Sequence, residues 1–178
     1  MSNLPSRVEA EKILKNIGCP KSLIKHSKFV ADLAVEIAKK ILERGLIDVD
    51  VNLVEVGAIL HDIGRIKTHS ILHGYIGGEI ARKLNLPSSV VNIIERHVGA
   101  GIPKEEAVKY GLPRKSFLLE TIEEKIVAYA DKRVKRSMVI DFNDCVREFE
   151  RKLGKNHPAI KRLKNLHRDI VDALGYEF

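Results

Sequence analysis

Between residues 29 and 42 the apolar positions Phe29, Val30, Leu33, Ala34, Ile37, Ala38, Ile41 and Leu42 recur at spacings of three and four. That is the period of an α-helix with one buried face, and a strand's period of two cannot satisfy it. A helix here follows Cys19-Pro20, since proline is comfortable in a first turn, and stops at Gly45. The same reasoning predicts helices near 6–17, 52–61, 73–84, 87–97, 103–110 and 116–134. Asp141 or Asn143 is expected to cap a helix reaching Leu153, and Asn156 with Pro158 to start a last one ending before Gly175. Strand alternation is absent, so the expected fold class is all-α. With 178 residues, 44% of them hydrophobic, one domain with a real core is expected. We divide it into residues 1–137, which carry the chemistry, and a basic helical extension, 138–178, packed on the same domain.

The longest apolar stretch, around Leu53 to Leu60, is too short to cross a bilayer, and Met1 to Pro5 has no secretory character. No membrane association and a cytoplasmic location are expected. Cys19 and Cys145 lie far apart and belong to no paired spacing, which predicts buried, inert thiols rather than a zinc or redox pair. The absence of Gln and Trp beside abundant Lys, Glu, Ile and Val points to a thermophilic source. The net charge of +7 is concentrated in 132–168, where twelve Lys or Arg face four Asp or Glu. Such a stretch either attracts nucleic acid or a polyphosphate, or is an ordinary solvated helix face.

The chemistry begins at His61-Asp62. Adjacent side chains on a helix point about 100° apart, so the two can share a metal only if the helix ends beside them, and Ile63-Gly64 supplies that ending. The preceding Val54, Val56, Ala58, Ile59 and Leu60 carry the pair into the interior, where polar groups need partners. His26, one turn before Phe29 and Val30, faces the same core. Asp131 ends the apolar run Ile126-Val127-Ala128-Tyr129-Ala130. A divalent cation accepting both imidazole and carboxylate answers all four, which favours Mn, Fe, Co, Ni or Zn over calcium. His73 and His97, at helix ends, raise the ligand count to six. Asp62 could then bridge two ions, or with one ion the two histidines would seat a phosphate or pass protons.

These residues resemble the HD superfamily of metal-dependent phosphohydrolases, in the branch whose dipeptide continues as His61-Asp62-Ile63-Gly64-Arg65. The resemblance runs from about residue 20 to 135 and includes His26-Ser27, His73 with Gly77, Arg96-His97 and Tyr129-Ala130-Asp131-Lys132. It implies a helical bundle with the metal at its centre. It also implies His26, His61, Asp62 and Asp131 as ligands, His73 and His97 as the additional ligands of two-metal members, and Arg65 close enough to meet a phosphate. Val98 and Gly99 stand where cyclic dinucleotide phosphodiesterases of the superfamily often have a second His, and no Gly-Tyr-Pro follows His-Asp. A simpler nucleotide or phosphoester is therefore the expected substrate.

The expected reaction is hydrolysis of a phosphomonoester or phosphodiester by metal-activated hydroxide, with Asp62, Arg65, His73 and His97 taking part. Cleavage of RNA, for example a 2′,3′-cyclic phosphate, and nucleotide sensing without turnover are the rivals, with the di-iron oxygenase chemistry that the resemblance also allows as a third. His69 is expected at the surface, and His157 and His167 as solvated residues of the basic tail. Lys132 and Arg133 are left open between the site's entrance and ordinary surface, and Gly77-Gly78 is read as a place where helices approach closely.

Overall fold

A computed structural model describes residues 4–177. Nine α-helices among them form the fold, and each boundary has a local cause. Ser6 and Glu9 cap each other's backbone to open α1, Arg7–Asn16. Pro20 precedes α2, Lys21–Glu43, whose buried Val30, Leu33, Ala34, Ile37, Ala38 and Ile41 follow the stripe read from the sequence, while Phe29 and Leu42 at its edges are exposed. Asp50 accepts from the Leu53 amide to start α3, Val51–Leu60. A short 3-10 turn, Ile63–Ile66, leads toward α4, His73–Lys83, and then α5, Ser88–Arg96. The short α6 covers Lys104–Lys109 and α7 covers Ile122–Arg133. Asp141 caps α8, Phe142–Leu153, and His157 caps α9, Pro158–Leu174, which closes on Gly175 at φ 80°.

The main core lies where α2, α3, α5 and α7 meet. Helix α3 is almost wholly apolar, with Val54, Ala58, Ile59 and Leu60 excluded from solvent, so it runs through the middle of the bundle. Helix α7 packs on α2, α3 and α5, and α9 packs in turn on α7 and α2. A smaller cluster of Val98, Ile102, Ala107, Leu112 and Phe117 sits beside α6. No helix among the described residues is long and apolar enough to cross a membrane.

Two segments depart from the sequence reading. The helix expected over 116–134 starts only at Ile122, because Thr121 and Glu124 form a capping box there and Phe117 is drawn into the smaller cluster, pairing with Ile102 through both backbone bonds. The stretch beyond α7 is also not purely helical. Val134–Lys135 (β1) and Met138–Val139 (β2) pair antiparallel around Arg136 and Ser137, which take φ of 48° and 62°. Two consecutive positive φ values make the tight turn that matches strand twist.

The tail histidines are not solvated as expected. His157 caps α9 with Nδ1 3.2 Å from the Ala159 amide. His167 stacks on Phe142 at 3.7 Å between ring centroids and pairs with the Tyr129 hydroxyl at 2.9 Å. A flat imidazole on an amphipathic helix buries its faces where an aromatic neighbour is offered. Cys19 and Cys145 are both buried and free, and burial pushes the Cys145 thiol up to about 11.

Candidate metal centre

The helices deliver six polar side chains to one place. His26 comes from the second turn of α2, His61 and Asp62 from the end of α3, His73 from the start of α4, His97 from the end of α5 and Asp131 from the last turn of α7. Because α3 ends at Leu60 and Asp62 leaves helical geometry at φ −97°, ψ 13°, the adjacent His61 and Asp62 side chains converge instead of diverging. Three glycines permit the close approach. A Cβ on Gly64 would lie 2.0 Å from the His73 carbonyl oxygen, and Gly77 and Gly78 leave no room beside Ile94 and Glu95. The reading of Gly77-Gly78 as a helix contact agrees with this geometry.

The six form two overlapping groups around Asp62. Its Oδ1 lies 3.3 Å from His73 Nε2 and 3.4 Å from His97 Nε2. Its Oδ2 lies 3.6 Å from His61 Nε2, and Asp131 Oδ1 is 3.3 Å from His61 Nε2 and 3.2 Å from His26 Nε2. His61, Asp62, His73 and His97 are buried, while the His26 and Asp131 side chains keep 26% and 15% of their exposure and open the centre to solvent. Among the described residues, three sets of three donors lie close enough to share an ion: His26, His61 and Asp62; His61, His97 and Asp131; Asp62, His73 and His97.

Hydrogen bonding shows what these atoms need. Nδ1 of His61, His73 and His97 each lies 2.7 Å from the carbonyl oxygen three residues earlier, of Ala58, Ser70 and Ile94. A carbonyl only accepts, so each neutral ring keeps its proton on Nδ1 and turns an Nε2 lone pair inward, as metal-ligating histidines do. His73 Nε2 and His97 Nε2 then face each other at 3.1 Å with no proton between them. Lone pairs at that separation repel unless a cation lies among them. His61 Nε2 and Asp62 Oδ1 are buried without a hydrogen bond, a cost normally removed by a partner. Donors bound at about 2.1 Å to a common ion sit roughly 3 Å apart, close to the separations found here. The residues fit a divalent metal.

Charge agrees with that fit. Burial opposes ionisation of Asp62, but His61 and the neighbouring imidazoles of His73 and His97 outweigh it and hold the carboxyl well below the usual range. Asp131 is treated the same way, with Lys132 and His61 overcoming burial. Burial pushes His97 down to about 4, so it is a neutral donor near pH 7. Burial would also lower His61, yet the carboxylates of Asp62 and Asp131 more than reverse it and the imidazole is raised.

Arg65 Nε donates to Asp62 Oδ2 at 2.6 Å, its only partner among the described residues, and its side chain is 31% exposed. The structure separates two cations that the sequence left open. Lys132 turns inward, donating to Asp131 Oδ2 and, at 3.1 Å, to the His97 carbonyl, with 11% of its side chain exposed. Arg133 lines no entrance. It is buried against the Tyr129 hydroxyl and the Ile140 carbonyl, tying the hairpin to α7. His69 is exposed and apart from the centre.

A family model described as HD domain matches residues 23–134, the segment carrying all six residues. An uncharacterized protein of Methanocaldococcus jannaschii is 46% identical over 166 residues, 93% of this chain and 97% of that one. A tRNA (cytidine(56)-2′-O)-methyltransferase of Picrophilus torridus is 40% identical over 172 residues, 97% of this chain, which spans only 48% of that enzyme. Among solved structures, the HD domain of the L. monocytogenes phosphodiesterase PgpH superposes with a TM-score of 0.53 at 20% identity, covering 93% of this chain and 96% of that one.

Proposed function

The chain belongs to the HD-domain family, and from that premise we propose that it is a metal-dependent phosphohydrolase cleaving a phosphomonoester or phosphodiester of a nucleotide. The observation that carries this reading is the pair of buried, lone-pair-bearing imidazoles of His73 and His97, 3.1 Å apart beside the Asp62 carboxylate. His26, His61, Asp62 and Asp131 would hold one ion, and Asp62, His73 and His97 a second, with Asp62 presenting one oxygen to each group. The mixture of imidazole and carboxylate favours Mn, Fe, Co, Ni or Zn.

A divalent ion in this centre would supply Lewis acidity, activating water and neutralising charge on the phosphoryl oxygens. The remaining work falls to the chain. Arg65, anchored through Nε, has its other guanidinium N–H groups available to hold a phosphate oxygen. Lys132 balances Asp131 and adds positive charge at the half-open side, where an anionic substrate would enter. The apolar walls from α3 and α7 limit bulk water, which strengthens these contacts.

The test is metal content of the purified protein together with phosphate or phenolate release from a nucleotide panel and bis(p-nitrophenyl) phosphate, with Mn, Co, Ni and Zn added separately. Metal-dependent turnover is expected. Near-stoichiometric metal with no turnover on any substrate would replace the hydrolase with a nucleotide-sensing domain.

Metal binding should also release a proton. The carboxylates of Asp62 and Asp131 outweigh burial and raise His61, which favours its protonated form, and a proton on Nε2 must leave before that nitrogen can bind a metal. Apparent metal affinity is expected to rise with pH until His61 is fully neutral, then to level. Calorimetric titration in two buffers of different ionisation enthalpy measures the proton count, and identical heats in both would contradict the protonated starting state.

A further inference from the structure

The obvious place for a polyanion is the basic stretch after residue 131, but its cations are largely occupied. Lys135 and Lys152 pair with Glu148, Arg147 with Asp144, Arg162 with Glu106 and Lys164 with Glu150, while Lys132 and Arg133 turn inward. A second set of lysines without ion pairs among the described residues lies along α1 and α2. A groove of about 600 Å³ runs along the outer face of α2 against the end of α1. Lys21, Lys25 and Lys28 line it at spacings of four and three, so their stems rise in a row separated by roughly 6 Å and 4.5 Å along the helix axis. Lys15 faces them from α1. Lys15, Lys21 and Lys25 have no ion-pair partner among the described residues, and Lys28 is shared with Glu11. The acid in the groove, Asp32, is taken up by Arg7.

The floor is apolar, built of Cys19, Ile24 and Phe29. Phe29 is 39% exposed, which is unusual for a ring on the main helix of the bundle, and Lys25 lies 5.9 Å from its centroid. The groove borders the residue that opens the centre. His26 sits between Lys25 and Phe29 in the chain, one turn before the ring, and its half-buried side chain forms the open edge of the metal cluster. Cys19 lies within electrostatic reach of Asp62, whose charge adds to burial in raising the thiol.

We infer that this groove binds a single-stranded oligonucleotide, with successive phosphates on the lysine row and an unstacked base on Phe29, and that it feeds one phosphodiester to the metal centre. The inference rests on the phosphohydrolase reading and narrows its substrate class. A row of cations beside an exposed ring is how strand-binding surfaces combine backbone attraction with base stacking. A lone mononucleotide would engage Arg65 and Lys132 and leave the row unused. A duplex keeps its bases stacked and cannot offer one to Phe29.

The test is fluorescence anisotropy of a short fluorescein-labelled, phosphorothioate-linked oligoribonucleotide, which resists cleavage, titrated with the metal-loaded full chain across a salt series. Replacing Lys21 and Lys25 together by Ala should reduce the steepness of the log K against log salt plot by about 1.4, since each neutralised phosphate of a single strand contributes roughly 0.7. Phe29→Ala should weaken binding by about tenfold at fixed salt. All three substituted side chains are on the surface or half-exposed, so thermal melting checks that the fold persists. The comparison variant carries Ala at Lys155, Lys161 and Arg168, cations of the basic extension without an ion pair among the described residues, and should bind as the wild type does. Loss of salt dependence in that variant instead, equal binding of a duplex, or no binding of the strand would each overturn the inference. Turnover of bis(p-nitrophenyl) phosphate, which needs no groove, reports separately on the phosphohydrolase reading.

Discussion

An Asp62→Asn variant is expected to lose metal-dependent turnover by roughly a thousandfold or more, the rate equivalent of the several kcal/mol that Lewis-acid catalysis supplies. Asn keeps the size and one carbonyl oxygen of Asp but removes the charge. Asp62 is the one side chain whose two oxygens face different donor groups, Oδ1 toward His73 and His97 and Oδ2 toward His61. Losing its charge therefore weakens both groups at once, and it frees Arg65, whose Nε is held by Oδ2. The helical fold should survive, because the core packing of α3 resides in Val54, Ala58, Ile59 and Leu60. Circular dichroism, metal stoichiometry and kcat/KM measured together separate these effects. His69→Ala, at an exposed position away from the centre, should retain wild-type kinetics. An Asp62→Asn protein that turns over like the wild type would remove Asp62 from the proposed machinery.

The six polar residues singled out in the sequence converge in the structure because each stands at the inward end of an apolar helical run. Periodicity alone gives the direction of such a residue, as with His26 before Val30 and Asp131 after Ala130. What decides the chemistry within the cluster is less visible. The carbonyls of Ala58, Ser70 and Ile94 that fix the three imidazoles belong to the backbone, and they leave no mark in residue identity. The start of α7 was hidden because Phe117 answers to Ile102, a contact outside any local window. Charge counting decides less. The surplus of cations after residue 131 leaves a nucleic-acid face and a solvated helix face both open, and it does not reveal that Arg162 is spent on Glu106, 56 positions away, or that Lys132 turns into the centre. Composition records how many charges a segment has, whereas partners at long sequence separation decide which remain free. The four lysines of the α1–α2 groove were invisible for the converse reason, being diluted in the count by acids of the same helices, of which Asp32 is taken up by Arg7.

Gly64→Ala should be among the most destabilising single-methyl changes available to this chain. An added Cβ would meet the His73 carbonyl oxygen at 2.0 Å and the Gly77 amide nitrogen at 2.6 Å. Both are backbone atoms of α4, so no rotamer change can relieve the contact and the whole first turn of that helix must retreat. Overpacking of a tight interior site costs about 1–3 kcal/mol and more where backbone must move. At roughly 2–4 °C per kcal/mol for a domain of this size, a fall in Tm of about 10 °C is expected. The functional loss should exceed the loss of stability. His73 is the first residue of α4, and its Nε2 reaches Asp62 and His97 only while that turn stays pressed against Gly64. Below its lowered Tm the variant should therefore remain folded but hold less metal on the His73 side than on the side of His26, His61 and Asp131. Gly77→Ala provides the contrast, since its Cβ would first meet the Ile94 side chain at 2.7 Å, which can shift, while the Gly64 nitrogen is 3.2 Å away. Its cost should be the smaller of the two. Equal Tm for Gly64→Ala and wild type, with undiminished metal content, would show that α4 is not held where the close contact places it. The glycine that follows His-Asp-Ile would then need a different explanation.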